Sequence, residues 1–306
     1  MKIIVTGGAG FIGSHVVDTY TAAGHRVVVI DDLSTGLRKN LHPKAKFYKA
    51  DINDAKAIEA IFKKEKPEIV NHHAAMIEVV RSFREPAMTF KTNVIGMGNL
   101  LNAFGTYGKK GKKKFIFASS GGALYGDPKK IPAVESAKLM PLSPYALSKL
   151  LGEEMLEFYA RHFGFDFTVL RYANVFGPRQ NARGEAGVVA IFGRLMKEGK
   201  RPTIFGDGTK GRDYVHVSDI ARANLLALKR GSGETVNIGL GKIISDRVVF
   251  DAIAKALRFG QEPIFAPYRK GEVYRSSLDA GRAKKILGWR PVKSFNGGVQ
   301  EMFRKK

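Results

Sequence analysis

The sequence predicts an α/β protein with a doubly wound parallel sheet, followed by a smaller mixed α/β C-terminal domain. Three observations carry this prediction. Short apolar runs alternate with helical patterns from the first residues to about residue 173, and a glycine-rich turn joins the first run to the first helical pattern. After residue 173 the alternation weakens. We therefore expect one domain over 1–173 and a second over 174–306, with 214–229 packing back onto the first.

Length and composition restrict the class of protein. A chain of 306 residues with 44% hydrophobic and 26% charged residues is typical of a soluble globular protein with a sizeable core. No run approaches the ~18 apolar residues of a membrane span, and the chain opens directly on a strand-like run, so neither a membrane partner nor a signal peptide is expected. The absence of cysteine excludes disulfides and thiolate chemistry. Together these features predict a cytoplasmic location.

The formal net charge of +23 raises the question of nucleic-acid binding. The basic residues are spread widely, however, and the densest run, 109–114, lies where a loop is expected to enter a strand. We interpret that run as a solvated loop and the overall charge as solubility plus affinity for small anions. No nucleic-acid partner is therefore expected.

The N-terminal segment contains a phosphate-binding pattern in its required context. The strand-like Lys2–Thr6 leads into the glycine turn 7–13, a helical pattern ends near Gly24, and a second apolar run, Arg26–Ile30, ends at Asp31. This order of strand, glycine turn, helix, strand and acid is the dinucleotide-binding arrangement, in which backbone N–H groups approach a pyrophosphate at the helix N-terminus. Asp31 is expected to accept hydrogen bonds from the adenosine ribose. Because a carboxylate there repels a 2′-phosphate, NAD is predicted rather than NADP.

The alternation continues through the first half of the chain. Strands are predicted at Phe47–Ala50, Glu68–Asn71, Phe115–Ala118 and Asp166–Arg171, and helices at Ala55–Lys64, Pro86–Tyr107 and after Pro144. Asp51 and Ile52 would lie at a strand end near the adenine, although Asp51 could equally be a plain turn residue. His72 and His73 are expected to line the cofactor crevice. Neighbours in sequence point apart and no third ligand is evident, so no metal is predicted.

Tyr145 and Lys149 lie four residues apart on a predicted helix, which places both side chains on one face. A nearby ammonium group lowers the pKa of a phenol from its usual value of about 10, and such a pair could remove a proton from a hydroxyl group. An ordinary surface tyrosine and lysine is the alternative for the pair alone. Ser120 follows a predicted strand at the sheet edge where ligands bind, and its hydroxyl can meet the phenol. The three residues together predict a catalytic set.

These motifs identify a family resemblance. The chain resembles the extended short-chain dehydrogenase/reductases, most closely the nucleotide-sugar epimerases of the UDP-glucose 4-epimerase branch. The matching stretches run from one end of the chain to the other: 6–15, 31–36, 119–126, 143–150, 170–180, 206–217 and 287–291. The resemblance implies a Rossmann-type first domain, a nucleotide-sugar-binding second domain and a homodimer.

The resemblance also assigns residues. It implies that Ser120, Tyr145 and Lys149 are catalytic. It places NAD on Gly7, Gly10, Phe11, Ile12, Asp31, Asp51, Ile52, Asn93 and Lys149. It places the UDP-sugar on Asn174, Thr203, Phe205, Arg212, Arg269, Glu272 and Ser276. The implied reaction inverts C4′ of a UDP-hexose through a transient 4-keto sugar, with Tyr145 as the base and with Lys149 and the positive nicotinamide lowering its pKa.

Two features separate this chain from the usual family pattern, and a third residue bears on which sugar it accepts. Ile77 stands where a polar cofactor contact is common, and the pair 121–122 adds a glycine, which leaves Ser119 as an alternative to Ser120. Ser276 falls on a position that acts as a gate on the sugar's 2′ side, and a serine there predicts that N-acetylated hexoses are accepted. Tyr274, two residues earlier, is the alternative occupant of that space.

Other functions remain open at this point. Nucleotide-sugar 4,6-dehydratases resemble this chain but carry Asp-Glu after the strand-end serine or threonine, where this chain has two glycines. A UDP-glucuronate epimerase or decarboxylase is a further alternative. From another class, the chain could be an NAD-sensing or RNA-binding relative. Such relatives often lose the tyrosine or the lysine, and this chain keeps both.

Overall fold

A parallel sheet of seven strands lies at the centre of the computed structural model, which describes residues 1–128, 130–182, 187–268 and 273–303. In chain order the strands are β1 (Lys2–Thr6), β2 (Arg26–Asp31), β3 (Lys46–Lys49), β4 (Ile69–His72), β5 (Lys114–Ser120), β6 (Asp166–Tyr172), β7 (Asn174–Phe176), β8 (Thr203–Phe205), β9 (Gly211–Arg212), β10 (Tyr214–His216), β11 (Glu234–Ile238), β12 (Ile244–Ser245), β13 (Ile264–Ala266) and β14 (Arg275–Ser276).

The α-helices in chain order are α1 (Phe11–Ala22), α2 (Ala55–Glu65), α3 (Val79–Arg84), α4 (Pro86–Phe90), α5 (Gly96–Tyr107), α6 (Gly121–Leu124), α7 (Pro144–Phe163), α8 (Val188–Lys197), α9 (Val217–Ala227), α10 (Asp246–Leu257), α11 (Gly281–Leu287) and α12 (Phe295–Phe303). A 3₁₀ turn covers Arg38–Asn40, and a π-helical turn, Lys91–Ile95, joins α4 to α5. None of the described helices is long and apolar enough to cross a membrane.

The strand order across the central sheet is β3-β2-β1-β4-β5-β6-β11. All neighbours pair in parallel, so the carboxyl ends of the strands share one edge. The order reverses between β1 and β4, and in such sheets the crevice at the reversal is where ligands bind. The prediction of a doubly wound parallel sheet is confirmed.

Two apolar layers cover the two faces of this sheet. Alternate residues of β1 point to opposite faces, so Ile3 and Val5 join the buried cluster beneath α1 and α9, whereas Ile4 joins the one beneath α2, α5 and α7. Both sets are fully buried. Burial on both faces explains why the strands read as continuous apolar runs in the sequence.

The C-terminal half returns to the sheet more extensively than the sequence predicts. Helix α9, within the expected segment 214–229, lies against α1. Strand β11 then adds to the edge of the sheet beside β6, and the buried Trp289 donates its indole N–H to the carbonyl of Asp219 at 2.9 Å. The boundary predicted at residue 173 therefore leaves out a strand of the central sheet. The other residues form small sheets around a separate core that contains Phe176, Phe192 and Phe250.

Candidate active site

The glycine turn lies at the carboxyl end of β1, beside the reversal of strand order. Gly7 has a φ of +68°, and a Cβ there would lie 2.7 Å from the backbone nitrogen of Ala74 in the loop after β4. A Cβ on Gly13 would lie only 2.2 Å from the Gly7 carbonyl oxygen, so neither position has room for a side chain. Gly10 precedes α1, and no side chain caps the N-terminus of that helix. Its backbone N–H groups are therefore available to an anion, which fits the pyrophosphate of a dinucleotide. Phe11 and Ile12 form the first turn of α1 and are partly buried.

Asp31 ends β2 and supports this turn. Its carboxylate accepts the backbone N–H of Ala9 at 3.0 Å and that of Leu33 at 2.8 Å, and the residue is only 7% exposed. Burial raises the pKa of the carboxyl, whereas the two N–H donors lower it. Asp31 therefore holds the glycine turn and the loop after β2, a structural task that the sequence analysis did not foresee.

The other predicted cofactor residues lie around the same crevice. Ile52 is buried against Gly96 at the start of α5, and Asp51 is exposed and accepts the backbone N–H of Asn53 at 2.9 Å. Asn93, in the π-helical turn, exchanges hydrogen bonds with both backbone groups of Met76 and donates to the Ser148 hydroxyl at 2.9 Å. Its amide thus ties the loop after β4 to α7, and its contact with NAD stays a prediction.

The two histidines at the end of β4, His72 buried and His73 half-buried, are engaged with protein groups. The imidazole of His72 hydrogen-bonds the Thr6 hydroxyl at 2.7 Å, and that of His73 lies 3.3 Å from the Tyr172 hydroxyl. Burial lowers the pKa of both, that of His73 to about 3, so both rings are neutral at pH 7. No group of three or more potential metal ligands occurs among the described residues.

The structure brings the three predicted catalytic residues together. Helix α7 begins at Pro144, and its N-cap Ser143 accepts the backbone N–H of Ala146 at 3.1 Å. This start places Tyr145 in the first turn, where its phenol approaches Ser120 at the end of β5, and this serine acts to lower the pKa of the phenol. One turn later, the ammonium of Lys149 donates to the carbonyl of Ala118 at 2.9 Å.

The two candidate serines at the end of β5 have different partners. The Ser119 hydroxyl donates to the carboxylate of Glu153 at 2.5 Å and the residue is 3% exposed. Ser120 instead lies near the Tyr145 phenol and is less buried. Since only Ser120 contacts the phenol, the geometry favours Ser120 over Ser119 as the catalytic serine.

The protonation of the tyrosine–lysine pair differs from the expectation. Burial raises the pKa of the Tyr145 phenol above its usual value, and the hydrogen bond with Ser120 acts in the lowering direction. Burial lowers the pKa of Lys149 to about 8. The ammonium of Lys149 is directed to the Ala118 carbonyl and lies 4.9 Å from the centre of the Phe117 ring.

Arg212 and Ser276 lie beside each other in the second half of the chain, on the paired strands β9 and β14. The Arg212 guanidinium donates to the carbonyls of Val273 at 2.6 Å and Tyr274 at 3.2 Å. Ser276 is 6% exposed. The Tyr274 hydroxyl is hydrogen-bonded to Thr209, so this ring is engaged with the loop after β8.

The remaining predicted substrate residues lie on two other short strands. Thr203 and Phe205 begin and end β8, which pairs with β13. Asn174 begins β7, and its backbone N–H donates to the carbonyl of Asp213 at 2.9 Å. Arg269 and Glu272 lie outside the described residues.

The second half of the chain contacts the serine turn, residues 119–122, at two points that were not predicted from the sequence. A Cβ on Gly121 would lie 2.5 Å from the Leu278 side chain, and one on Gly122 would lie 3.2 Å from the Asn174 side-chain oxygen. Leu278 is 1% exposed. The paired glycines in the sequence were the available signal, because they mark a close approach of another segment.

Comparisons with known proteins agree over almost the whole chain. The profile of the NAD dependent epimerase/dehydratase family matches residues 3–239. The UDP-glucose 4-epimerase of Mycolicibacterium smegmatis is 42% identical over 100% of this chain and 99% of its own. A solved UDP-glucose 4-epimerase of Thermotoga maritima with UDP-glucose is 48% identical, with a TM-score of 0.96 over 99% of this chain and 97% of its own. That of Thermus thermophilus in complex with NAD is 40% identical, with a TM-score of 0.92 over 99% and 98%.

Proposed function

We propose that this chain, which belongs to the NAD dependent epimerase/dehydratase family, is an NAD-dependent isomerase that inverts C4′ of a UDP-hexose through a transient 4-keto sugar. The substrates are UDP-glucose and UDP-galactose, together with the N-acetylated pair. The observation that carries the proposal is the approach of Tyr145, in the first turn of α7, to Ser120 at the end of β5, with Lys149 one helical turn later bonded to the same strand. This contact lies at the sheet edge that also carries the glycine turn.

The residues present fit NAD. The glycine turn leaves no room for side chains where a pyrophosphate would approach, and Asp31 ends the neighbouring strand. When bound, NAD supplies the hydride acceptor and donor and a positively charged ring. The residues that we assign to holding it are Gly7, Gly10, Phe11, Ile12, Asp31, Asp51, Ile52, Asn93 and Lys149.

Each catalytic side chain has one task. Tyr145 removes the proton from the sugar 4′-hydroxyl and later returns it, and the positive charges of Lys149 and of a bound nicotinamide ring would favour the phenolate that this requires. Ser120 holds the phenol by its hydrogen bond and steadies the sugar oxygen. Lys149, protonated below a pKa of about 8, supplies positive charge beside the reacting oxygens.

Five described residues are assigned to the UDP-sugar. Arg212 is the guanidinium suited to a diphosphate, because it can bond two phosphate oxygens at once. Ser276, its neighbour across β9 and β14, faces the 2′ side of the sugar in this proposal. Asn174 joins this group to the serine turn, and Thr203 and Phe205 are assigned to the uracil.

Dehydration of the sugar is disfavoured by the packing at the serine turn. A 4,6-dehydratase needs acidic side chains directly after the strand-end serine. Here Leu278 fills the space that a side chain at Gly121 would require. Epimerisation or decarboxylation of UDP-glucuronate is not disfavoured by this packing, so the experiment includes that sugar.

The purified protein is incubated separately with UDP-galactose, UDP-N-acetylgalactosamine and UDP-glucuronate, and the products are identified by chromatography. Conversion of UDP-galactose to UDP-glucose is the expected result. Conversion of UDP-glucuronate alone would contradict the proposal. If no sugar is converted, filter binding of RNA at low and physiological salt tests the RNA-binding alternative.

We also propose that two copies associate through α7 and the turn before α5. Leu147, Leu151 and Phe158 form an exposed apolar face on α7, and Ile95 is 59% exposed beside it. The hydrogen bond from Asn93 to Ser148 joins the two segments. A self-complementary apolar face on two adjacent helices suits a second copy of the chain.

Light scattering of Leu151→Glu should report a monomer, whereas Val292→Glu, at an exposed valine outside this face, should leave the dimer intact. A wild-type monomer at micromolar concentration would contradict the dimer. The use of NAD and a nucleotide sugar, both cytoplasmic metabolites, supports the predicted cytoplasmic location.

A further inference from the structure

Three successive residues at the end of β5 are each tied to one stripe of helix α7. The Ala118 carbonyl accepts the ammonium of Lys149, the Ser119 hydroxyl donates to Glu153, and Ser120 lies near the Tyr145 phenol. Residues 145, 149 and 153 are spaced by four, so they lie on one face of the helix. The sequence analysis used the first two positions of this stripe, and the third has no role in the reaction described above.

The third position, Glu153, is a buried anion with strong partners. It is 8% exposed, and its two oxygens accept the Arg171 guanidinium at 2.6 Å and 3.0 Å. Arg171, on the neighbouring strand β6, also donates to the Tyr125 hydroxyl at 2.9 Å. A carboxylate held this firmly cannot turn away to solvent, so both its position and its charge are fixed beside the catalytic stripe.

The charges around Lys149 single out Glu153. On its own helix, Lys149 has Tyr145 and Glu153 as titratable neighbours. From β4 it meets His72 and His73, whose imidazoles burial keeps neutral at pH 7. Burial of Lys149 lowers its pKa, and the negative charge of Glu153 is the neighbouring charge that raises it.

The structure assigns Glu153 a positioning role in proton transfer: it fixes the end of β5 against α7 and keeps positive charge on Lys149. This inference rests on the proposed function, because it concerns the same tyrosine and lysine. Glu153 acts through Ser119 and Lys149 and need not touch the sugar. Arg171 is the counterion that offsets the free-energy cost of burying the Glu153 carboxylate.

The test measures the protonation of Lys149 directly in Glu153→Gln. Lysines are labelled with ¹³C at Cε, the Lys149 signal is assigned by its absence in Lys149→Met, and its titration is followed by NMR between pH 6 and 11. Glutamine keeps an acceptor for Ser119 but removes the charge. The Lys149 midpoint should fall by about one unit, and the alkaline limb of the kcat profile should move to lower pH by the same amount.

Two further variants separate the charge from the strand contact. Glu154→Gln removes the same charge at the next, exposed position and should change neither the titration nor the profile. Ser119→Ala keeps the carboxylate but removes its tie to β5, so kcat should fall about tenfold with no shift of the alkaline limb. If Glu153→Gln does not fold, Glu153→Gln with Arg171→Met removes the whole buried pair, and the Lys149 midpoint should still fall, but by less, because the positive charge of Arg171 is lost as well.

A folded Glu153→Gln protein with an unchanged Lys149 midpoint would contradict the claim that Glu153 keeps positive charge on Lys149. An unchanged kcat in Ser119→Ala would contradict the claim that Glu153 acts by fixing the end of β5. The NMR titration needs no turnover. If the wild-type protein converts no UDP-sugar but the Lys149 midpoint shifts in Glu153→Gln, the proposed function is contradicted and the effect of Glu153 on Lys149 is still supported.

Discussion

The cofactor half of the chain (the predicted first domain, 1–173) and the substrate half (the predicted second domain, 174–306) position their predicted site residues in different ways. Gly7, Asp31 and Ser120 lie at or directly after the ends of strands in one continuous parallel sheet. The described substrate residues, Arg212 and Ser276 among them, lie on strands of two or three residues in separate small sheets. A parallel sheet places every strand end at one edge whatever the loops do, whereas each short strand depends on a partner far away in the sequence.

This difference predicts how each half responds to substitution. In the cofactor half, a change should act locally, on the chemistry or the ligand at that strand end. In the substrate half, a change should also move neighbouring strands, because Asp213 bonds segments around residues 240 and 278 at the same time. The following variants test this contrast, beginning with the largest expected effect.

Removal of the Tyr145 hydroxyl should give the largest and most local effect. Tyr145→Phe leaves the ring in place and removes the base, so kcat should fall about 10²–10⁴-fold. Binding of NAD and UDP-sugar, measured by calorimetry, should change little. Tyr159→Phe on the same helix is the control. Retention of more than half the wild-type rate would rule out Tyr145 as the base.

Ser276→Tyr tests the substrate half. A phenol ring in this nearly filled position should exclude the acetamido group, with an overpacking cost of about 1–3 kcal/mol, which corresponds to roughly 5- to 150-fold in rate. The ratio of kcat/KM for UDP-N-acetylgalactosamine to that for UDP-galactose should fall by this factor, and Ser276→Ala should leave it unchanged. An unchanged ratio in Ser276→Tyr, or rejection of the acetylated sugar by the wild type, would show that Ser276 is not the gate.

Asp31→Asn tests cofactor choice with one of the two backbone hydrogen bonds of Asp31 preserved. The amide oxygen can still accept the N–H of Ala9, whereas Asp31→Ala would also remove that support. Loss of the negative charge should narrow the preference for NAD over NADP about tenfold, measured by calorimetry of both cofactors. Equal or tighter binding of NADP by the wild type would contradict the prediction.

The smallest effects concern two buried carboxylates whose pKa values move in opposite directions. Burial raises the pKa of Asp213, in the substrate half, to about 6 from its ordinary 3.8, against three backbone N–H donors. Burial also acts to raise that of Glu65, in the cofactor half, but hydrogen bonds from Lys46, Tyr48 and Lys2 outweigh it and lower the pKa from 4.5 to about 2.

The signs of the two stability contributions therefore differ. Between pH 3.8 and 6 folded Asp213 binds more protons than the unfolded chain, so its ionisation destabilises the fold as pH rises. The contribution of Glu65 is present above pH 4.5 and is lost as pH falls towards 2. Relative to wild type, the Tm of Asp213→Asn should rise by about 2–4 °C from pH 4 to pH 6.5. The amount by which the Tm of Glu65→Gln lies below that of wild type should shrink from pH 5 to pH 3. If the Tm of each variant changes with pH by the same amount as that of wild type, both assignments are contradicted.

The sequence by itself determined the sheet, the glycine turn and the pair Tyr145 and Lys149. These features depend on local periodicity and on spacing within one helix, which are readable without knowing any distant partner. The resemblance of its motifs added the family, and the comparisons confirmed it.

Only the tertiary structure decided which serine meets the phenol, where β11 is placed and what lies beside Arg212. Ser119 and Ser120 are adjacent and alike in sequence, and they differ only because Glu153 and Tyr145 come from another element. Likewise, Leu278 fills the space at Gly121 through a contact that spans half of the chain. Contacts of this kind are set by packing between segments distant in sequence, so no local pattern records them.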